Sequence, residues 1–307
     1  MSSSVPSTGP VVRAIGAVTL VVPDLASVEA AYRDQLGFRT IARDVVDAPT
    51  AARWAAPAMA GRARAVLQPA SGSPVYLQLL EAPATPGYSA MRTHGWNANE
   101  ILVEDPDALA ARLAASPFRI VGPPANLAFN PNIRAMQVLG PAGELVYLTR
   151  VPPGKSLFEL GSARSFVDRT FIVVLGGPDA DAMLAFYRDA LGMPVTEPRT
   201  TRVDVLNEAW GLPPDHEIRL GIARFPASFL VEIDEYPPQA GPRPVRPGEL
   251  PPGLSMVTVL VGDLGAVCAP FAAGPAVATA APYAGRRTAL VRGAAGELLE
   301  LVEDAPA

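Results

Sequence analysis

One cysteine and two histidines among 307 residues leave little room for thiol or imidazole chemistry. Cys268 alone cannot close an intramolecular disulfide or build a thiolate zinc cluster, and its apolar helical surroundings read as core. No apolar run is long enough to span a bilayer. No basic segment leads into an apolar one either, because Met1 to Pro10 is polar and rich in serine and proline. Lysine- or arginine-rich runs are also missing, and the formal net charge of −5 argues against nucleic acid and anionic membrane surfaces as partners. What remains is a cytoplasmic protein with a small-molecule substrate, a monomer or homodimer, with a short disordered tail over 1–12.

What is present is a repeat. Tyr32-Arg33-Asp34-Gln35-Leu36-Gly37 returns 155 residues later as Tyr187-Arg188-Asp189-Ala190-Leu191-Gly192, and Gly140-Pro141-Ala142-Gly143-Glu144-Leu145 returns 153 residues later as Gly293-Ala294-Ala295-Gly296-Glu297-Leu298. Two homologous halves in the same internal order follow from this. With 49% hydrophobic residues, the chain can bury one large core or two ordinary ones.

Each half divides again. Ala17 to Val22 alternates as a half-buried strand, Pro23-Asp24 turns the chain, and Asp24 is a fitting N-cap for a helix from Leu25 to Gln35 that ends at Gly37. Three β-like runs follow, Arg39 to Val46, Arg64 to Pro69 and Val75 to Glu81. The pattern restarts at Ala98, with a helix Ala108 to Ala115 and strands around Arg134 to Leu139 and Leu145 to Thr149. It restarts at Thr170, with a helix Ala182 to Leu191 and a strand Leu230 to Glu235. It restarts again at Met256, with a helix Leu264 to Ala272 and strands Thr288 to Val291 and Leu298 to Val302. Four βαβββ units therefore tile the chain, an α+β class. The expected organisation is a first domain over 13–150, a proline-bearing linker over 151–168, and a second domain over 169–304. The Gly-x-x-Gly-Glu turns are hairpin chemistry and not a phosphate loop, since no helix follows them.

A strand ending in Val-Val-Pro-Asp-Leu, a helix with Tyr-Arg-Asp-x-Leu-Gly and a closing Gly-x-x-Gly-Glu-Leu strand together resemble the vicinal oxygen chelate superfamily. That group includes glyoxalase I, extradiol dioxygenases and bleomycin-resistance proteins. The resemblance covers about 14–150 and 168–303, and its four-unit form is most similar to the two-domain extradiol-dioxygenase type. It implies cupped sheets in which a histidine on a unit's first strand and a glutamate on its last hold a divalent metal. Carried over, the histidine positions fall at Ala17, Ala98, about Thr170 to Ile172, and Met256, and none is histidine. The carboxylate positions fall at Gln78, Tyr147, Glu232 and Glu300. No cofactor is therefore expected. The alternative is Fe(II), Mn(II) or Zn(II) at a non-standard site of His216, Glu232 and Glu300.

Strand alternation sorts the remaining candidates by face. Ala17, Thr19 and Val21 should face a cup while Val18, Leu20 and Val22 pack under helices. By the same parity Ala98, Glu100 and Leu102 face a cup, joined by Leu145, Tyr147 and Thr149. Glu100 with Tyr147 is one acid–base candidate in the first half, unless Glu100 pairs with Arg134. Glu232 with Glu300 is the other, in the second half beside Met256 and Thr258, unless Arg286 or Arg287 neutralises them. Trp96 is the candidate for stacking on substrate, or a core residue. Asn126, Asn130 and Asn132 lie in an irregular stretch that lines an entrance or simply faces water. Trp54 and Trp210, 156 apart, should pack the loop before the third strand of their units.

Three functions fit these residues. One is a metal-independent lyase or isomerase acting by proton transfer on a small apolar or aromatic oxygenated molecule. The second is a non-enzymatic small-molecule binder like the antibiotic sequestrants. The third is an extradiol-type dioxygenase with a non-standard metal site.

Overall fold

A computed structural model describes residues 12–128, 130–156, 158–226, 228–271 and 274–304. Of the expected tail, residues 1–11 lie outside the described residues, and Val12 opens the first strand. The first unit comprises β1 (Val12–Val22), α1 (Leu25–Leu36), β2 (Arg39–Val45), α2 (Ala48–Arg53), β3 (Ala63–Gln68) and β4 (Tyr76–Glu81). The second comprises β5 (Gly95–Val103), α3 (Pro106–Leu113), β6 (Arg119–Leu127), β7 (Asn130–Leu139) and β8 (Leu145–Arg150). The third comprises β9 (Val167–Gly177), α4 (Ala180–Ala185), β10 (Arg199–Thr201), α5 (Asp204–Trp210), β11 (Ile218–Arg224) and β12 (Leu230–Glu235). The fourth comprises β13 (Gly253–Val261), α6 (Leu264–Cys268), β14 (Ala276–Val277), β15 (Arg287–Arg292) and β16 (Leu298–Glu303).

The same local chemistry starts every unit's first helix. The carboxylates of Asp24, Asp105, Asp179 and Asp263 accept first-turn N–H groups of Ser27, Ala108, Ala182 and Ala266 at 3.0–3.1 Å, satisfying donors that the helix itself cannot. Gly37, at φ +74°, ends α1 in the left-handed region and passes its N–H to the Arg33 carbonyl. In the third unit the helix expected from Ala182 to Leu191 changes character midway, since α4 gives way to a wider π-type turn over Phe186–Ala190. α6 is shorter than expected, and Ala272 lies outside the described residues. β6 went unread in the sequence because Gly122, Pro123 and Pro124 interrupt its alternation. The stretch expected to be irregular is therefore a hairpin, with Asn126 on β6 and Asn130 and Asn132 on β7.

The strands form two eight-stranded sheets, β14-β15-β16-β13-β1-β4-β3-β2 and β10-β11-β12-β9-β5-β8-β7-β6. Within each unit the first strand pairs parallel with the last, and units join by antiparallel pairing of first strands, β1 with β13 and β5 with β9. The outer units, one and four, therefore share one sheet, and the inner units, two and three, share the other. The halves do not each close a cup of their own, which corrects the expectation that 13–150 and 169–304 each hold a cavity. What ties units within a half is side-chain chemistry. The Tyr32 hydroxyl donates to Glu144 at 3.0 Å and the Tyr187 hydroxyl donates to Glu297 at 3.1 Å, both fully inside the protein. The two motifs whose repetition defined the halves are thus partners of each other.

One continuous apolar core holds the helix-facing side chains of all four first strands, including Val18, Ile101, Val173 and Val257, together with residues of α1, α3, α4 and α6 and with Cys268. The sheets therefore share one core on their helix sides, and their concave faces are turned away from it. The alternation expected for β1 and β5 holds. Val18, Leu20, Val22, Ile101 and Val103 lie in this core, while Ala17, Val21, Ala98 and Leu102 belong to separate cup-side clusters. No described helix is long and apolar enough to cross a membrane.

Candidate active site

The outer-unit cup is filled by its own side chains. α2 begins at the Asp47 cap and Pro49, and delivers Trp54 into the concavity against Val21, Leu80, Met256 and Leu298. The Trp54 indole donates to Glu300 Oε1 at 2.9 Å, Thr258 donates to Glu300 Oε2 at 3.1 Å, and the Arg53 guanidinium stands 3.6 Å from the same carboxylate. Gln78 accepts from Arg64 at 3.2 Å, and Arg64 in turn grips Asp44 through two bonds of 2.7 Å. Thr19, Met256 and Thr258 are all fully buried here. They face the cup as expected, but the space left among Arg53, Trp54, Tyr283 and Glu300 is about 10 Å³, room for about one water. Glu300 is a carboxylate satisfied by its own protein. Neither Arg286 nor Arg287 neutralises it, since these pair with Asp304 and Glu303.

The inner-unit cup is different. Tyr147 and α5 side chains close one end, where Tyr147 packs with Ala98, Leu145, Val174, Val205 and Tyr236. Trp210, the counterpart of Trp54, sits at the rim and gives its indole N–H to the Met91 carbonyl at 2.8 Å. The other end holds a cavity of about 90 Å³ with apolar walls that include Ile133, Phe171, Ile172 and Ile222. Its roof comes from the linker between the halves, through Val151, Ser156, Phe158 and Leu160, and Asn130 fastens that roof by donating to the Lys155 carbonyl at 2.7 Å. Glu100 and Glu232 both face this space.

These two carboxyl groups lie on neighbouring first- and last-strand positions across the β5–β9–β12 pairing, Glu100 opposite Ile172 and Glu232 beside Val174. Burial pushes Glu100 up to about 8, the nearby Glu232 charge adds to the rise, and the Thr149 hydroxyl, donating at 2.5 Å, opposes it. Glu232 is half-buried at the cavity wall and is likewise raised by burial. Two residues on, Asp234 is buried with one oxygen unpartnered among the described residues, and it is held far above the usual carboxylate range by burial and then by Glu232. No basic side chain contributes to any of the three. Arg134, the alternative partner for Glu100, is occupied by Asp107 in two bonds of 2.5 and 2.6 Å.

The expected groupings are thus redistributed. Glu232 and Glu300 lie in different sheets and do not form a pair, because pairing of units across the halves separates them. Glu100 and Tyr147 are directly opposed on β5 and β8, yet the cavity receives Thr149 and not the phenol. Trp96 is 1% exposed and donates to the Leu298 carbonyl at 2.7 Å, so it is core and cannot stack on a cup ligand. His216 lies in the loop before β11, its carbonyl accepting from Asn207, outside the cavity. The proposed His216, Glu232 and Glu300 metal set is therefore never assembled, and no three potential ligands gather among the described residues. The family's ligand positions are Ala17, Gln78, Met256 and Glu300 in one cup and Ala98, Tyr147, Ile172 and Glu232 in the other. Each set has one carboxylate and no imidazole, a donor chemistry that does not fit an Fe(II), Mn(II) or Zn(II) centre. Sequence reasoning missed the linker as a cavity wall. The Pro152-Pro153-Gly154 signal is that of a tether.

Residues 14–147 match the model of the Glyoxalase/Bleomycin resistance protein/Dioxygenase superfamily. This segment belongs to that superfamily. Residues 168–303 repeat its motifs, and the whole chain carries the superfamily's fold. Glyoxalase I of Zea mays is 15% identical, with 94% of this chain and 92% of the maize chain covered and a TM-score of 0.59. A Bacillus subtilis protein provisionally called a dioxygenase is 11% identical, with 97% and 87% covered and a TM-score of 0.63. At such identities the glyoxalase/dioxygenase likeness is one of fold alone. No curated protein matches the chain by sequence.

Proposed function

We propose that this glyoxalase/dioxygenase-fold chain is a metal-independent enzyme of lyase or isomerase type that moves a proton on a small, largely apolar oxygenated molecule, with the inner-unit cup as its site. The observation that carries this reading is that Glu100 and Glu232 face one apolar cavity with no cation beside them among the described residues. Two such carboxyl groups cannot both ionise readily, so one holds a proton at neutral pH while the other is free to accept one. Glu100, raised to about 8, is the acid, and Glu232 is the base.

The substrate is a carbonyl compound with a hydrogen on the adjacent carbon. Glu232 takes that proton, and the electron pair of the C–H bond moves into the carbonyl as an enolate. Glu100 donates its own proton to the enolate oxygen, steered by the Thr149 hydroxyl. Returning the proton to a different atom gives isomerisation, and expelling a group from the next carbon gives elimination. The linker roof excludes water from the enol. The free volume is smaller than the roughly 150 Å³ of an apolar cavity that admits benzene, so the substrate is compact or the roof opens for it.

The test is exchange of substrate C–H hydrogen in D₂O, followed by NMR over a panel of small ketones, aldehydes and 2-oxo acids. At least one compound should lose its signal with the wild-type chain and keep it with Glu100→Gln and Glu232→Gln. Exchange indifferent to both variants removes the pair from the chemistry. Binding without exchange across the panel converts the reading to the small-molecule binder.

A further inference from the structure

A cavity larger than that of the inner cup lies outside both cups. It measures about 320 Å³ and sits where the start of β5, the segment that follows β12 and the β15–β16 hairpin come together. Three units contribute to it: His94 and Trp96 from the second, Arg243 from the third, and Pro251, Ser255 and Arg292 from the fourth or the approach to it. From its volume this is a ligand-sized space, whereas the inner cavity is several times smaller.

Its charge is lopsided. Arg243 is threaded through the seam, donating to the carbonyls of Leu254 at 2.6 Å and Pro252 at 3.3 Å, to the Thr93 hydroxyl at 3.2 Å and to the Trp96 carbonyl. Its guanidinium lies over the Tyr88 ring, 5.2 Å from the centroid. All these partners are neutral, and no carboxylate pairs with it among the described residues. Buried cations are ordinarily matched by an anion, and this one is met only by dipoles. Arg292, exposed on the hairpin, spends one N–H on the Gly296 carbonyl at 2.8 Å and likewise makes no ion pair among the described residues. The one carboxylate in the wall, Glu297, is turned inward onto the Tyr187 hydroxyl and the Ala295 N–H, and burial lifts it to about 7. Two hydrogen-bonding side chains complete the wall. They are His94, which burial keeps neutral to lower pH, and Ser255, which is 2% exposed with a hydroxyl lacking a partner among the described residues. Trp96 and Pro251 supply an apolar flank.

We infer that this seam cavity is a second ligand site, one that takes a small organic anion, its carboxylate or phosphate head held by Arg292 and Arg243 with His94 and Ser255 as hydrogen-bonding partners, and its apolar body laid against the prolines. Arg292 is the specificity-determining residue, because its guanidinium is the one free to swing onto a ligand, while Arg243 supplies the fixed positive field. Since the cavity is roofed by segments of three units, an occupant cross-links the two sheets without touching either cup.

The experiment is isothermal titration of the full chain with benzoate, phenyl phosphate and the neutral analogue benzamide. Benzoate or phenyl phosphate should bind once per chain, with benzamide about tenfold weaker or worse. The tighter of the two anions tells carboxylate from phosphate. Arg292→Gln should weaken the anion about tenfold, and Ala294→Trp, also on the exposed hairpin, should abolish binding by filling the mouth. Glu232→Gln should change nothing here. Should neither anion bind at ~10 mM, or binding survive both hairpin variants, or Glu232→Gln alone remove it, the seam site is overturned, and in the last case the ligand belongs to the inner cup. If Ala294→Trp fails to fold, Arg292→Gln decides alone.

Discussion

The two cups have the same ancestry, the same strand order and the same capping aspartates, yet one is plugged and one is hollow. In the outer cup the inherited carboxylate Glu300 is held by Trp54, Thr258 and Arg53, so that each of its oxygens has a hydrogen-bond donor and a cation stands beside it. In the inner cup the matching carboxylate, Glu232, has no such partners among the described residues and looks across a cavity at Glu100. The difference traces to one tryptophan in each lid. Trp54 reaches inward to the sheet, whereas Trp210 stops at the rim and serves the Met91 carbonyl. Two cups of one strand order thus differ in whether the inherited carboxylate is satisfied within the protein or left facing a cavity.

Catalysis gives the largest expected contrast. Glu100→Gln should lower turnover by about 10²–10⁴-fold, the usual worth of a positioned acid. Glu300→Gln should leave turnover within about twofold and instead cost about 1–3 kcal/mol of stability, from the hydrogen bonds it disrupts. Equal losses in the two variants would erase the distinction between the cups. With Glu100 as the acid, kcat should also fall as pH rises through about 8.

Stability gives the next contrast. Trp54→Ala removes a residue only 3% exposed and strands Glu300, so a loss of about 3–5 kcal/mol is expected in urea unfolding. Trp210→Ala, at a half-buried rim position, should cost about 1–2 kcal/mol. A reversed order would mean that the inner lid carries the fold.

Much of this was legible beforehand and some could not be. Strand alternation placed Thr19, Glu100 and Met256 on the correct faces, because a period of two is local and survives any tertiary arrangement. The Asp24 cap and the Gly37 terminus are equally local. Which units share a sheet is not local. The repeat shows four equivalent first strands, and nothing in β1 says whether β5 or β13 will lie beside it. That ambiguity put Glu232 with Glu300 in one cup and Glu100 in another. Trp96 stayed open between stacking and core for a related reason, since an unrepeated aromatic beside a strand carries no mark of which carbonyl will receive its N–H. The linker was read from its prolines as a tether, and its apolar Val151, Phe158 and Leu160 show their purpose only when folded over the inner cavity.

The smallest expected effect separates what the halves share from what the inner cup has alone. Glu144 and Glu297, the clasps that bind units within each half, are lifted to about 7 by burial, and Glu100 to about 8. Each is raised above its unfolded value near 4.5, so between that pH and 7–8 the unfolded chain has released protons that the native chain keeps. Stability therefore falls as pH rises through this window. Glu29, Asp47 and Asp107, lowered by their hydrogen-bonded partners, lose their contribution only below it. His94, lowered by burial, opposes the trend by one partly buried group. The melting temperature should drop by several degrees from pH 5 to pH 8.5. Glu144→Gln and Glu297→Gln should each flatten that slope by a similar amount, since the clasps are duplicates. Glu100→Gln should flatten it further toward the alkaline end, because its shift arises in the inner cup and has no duplicate. A profile that rises with pH would show that these raised carboxyl groups do not govern stability, and clasp variants that differ from each other more than either differs from Glu100→Gln would show that the two clasps are not equivalent.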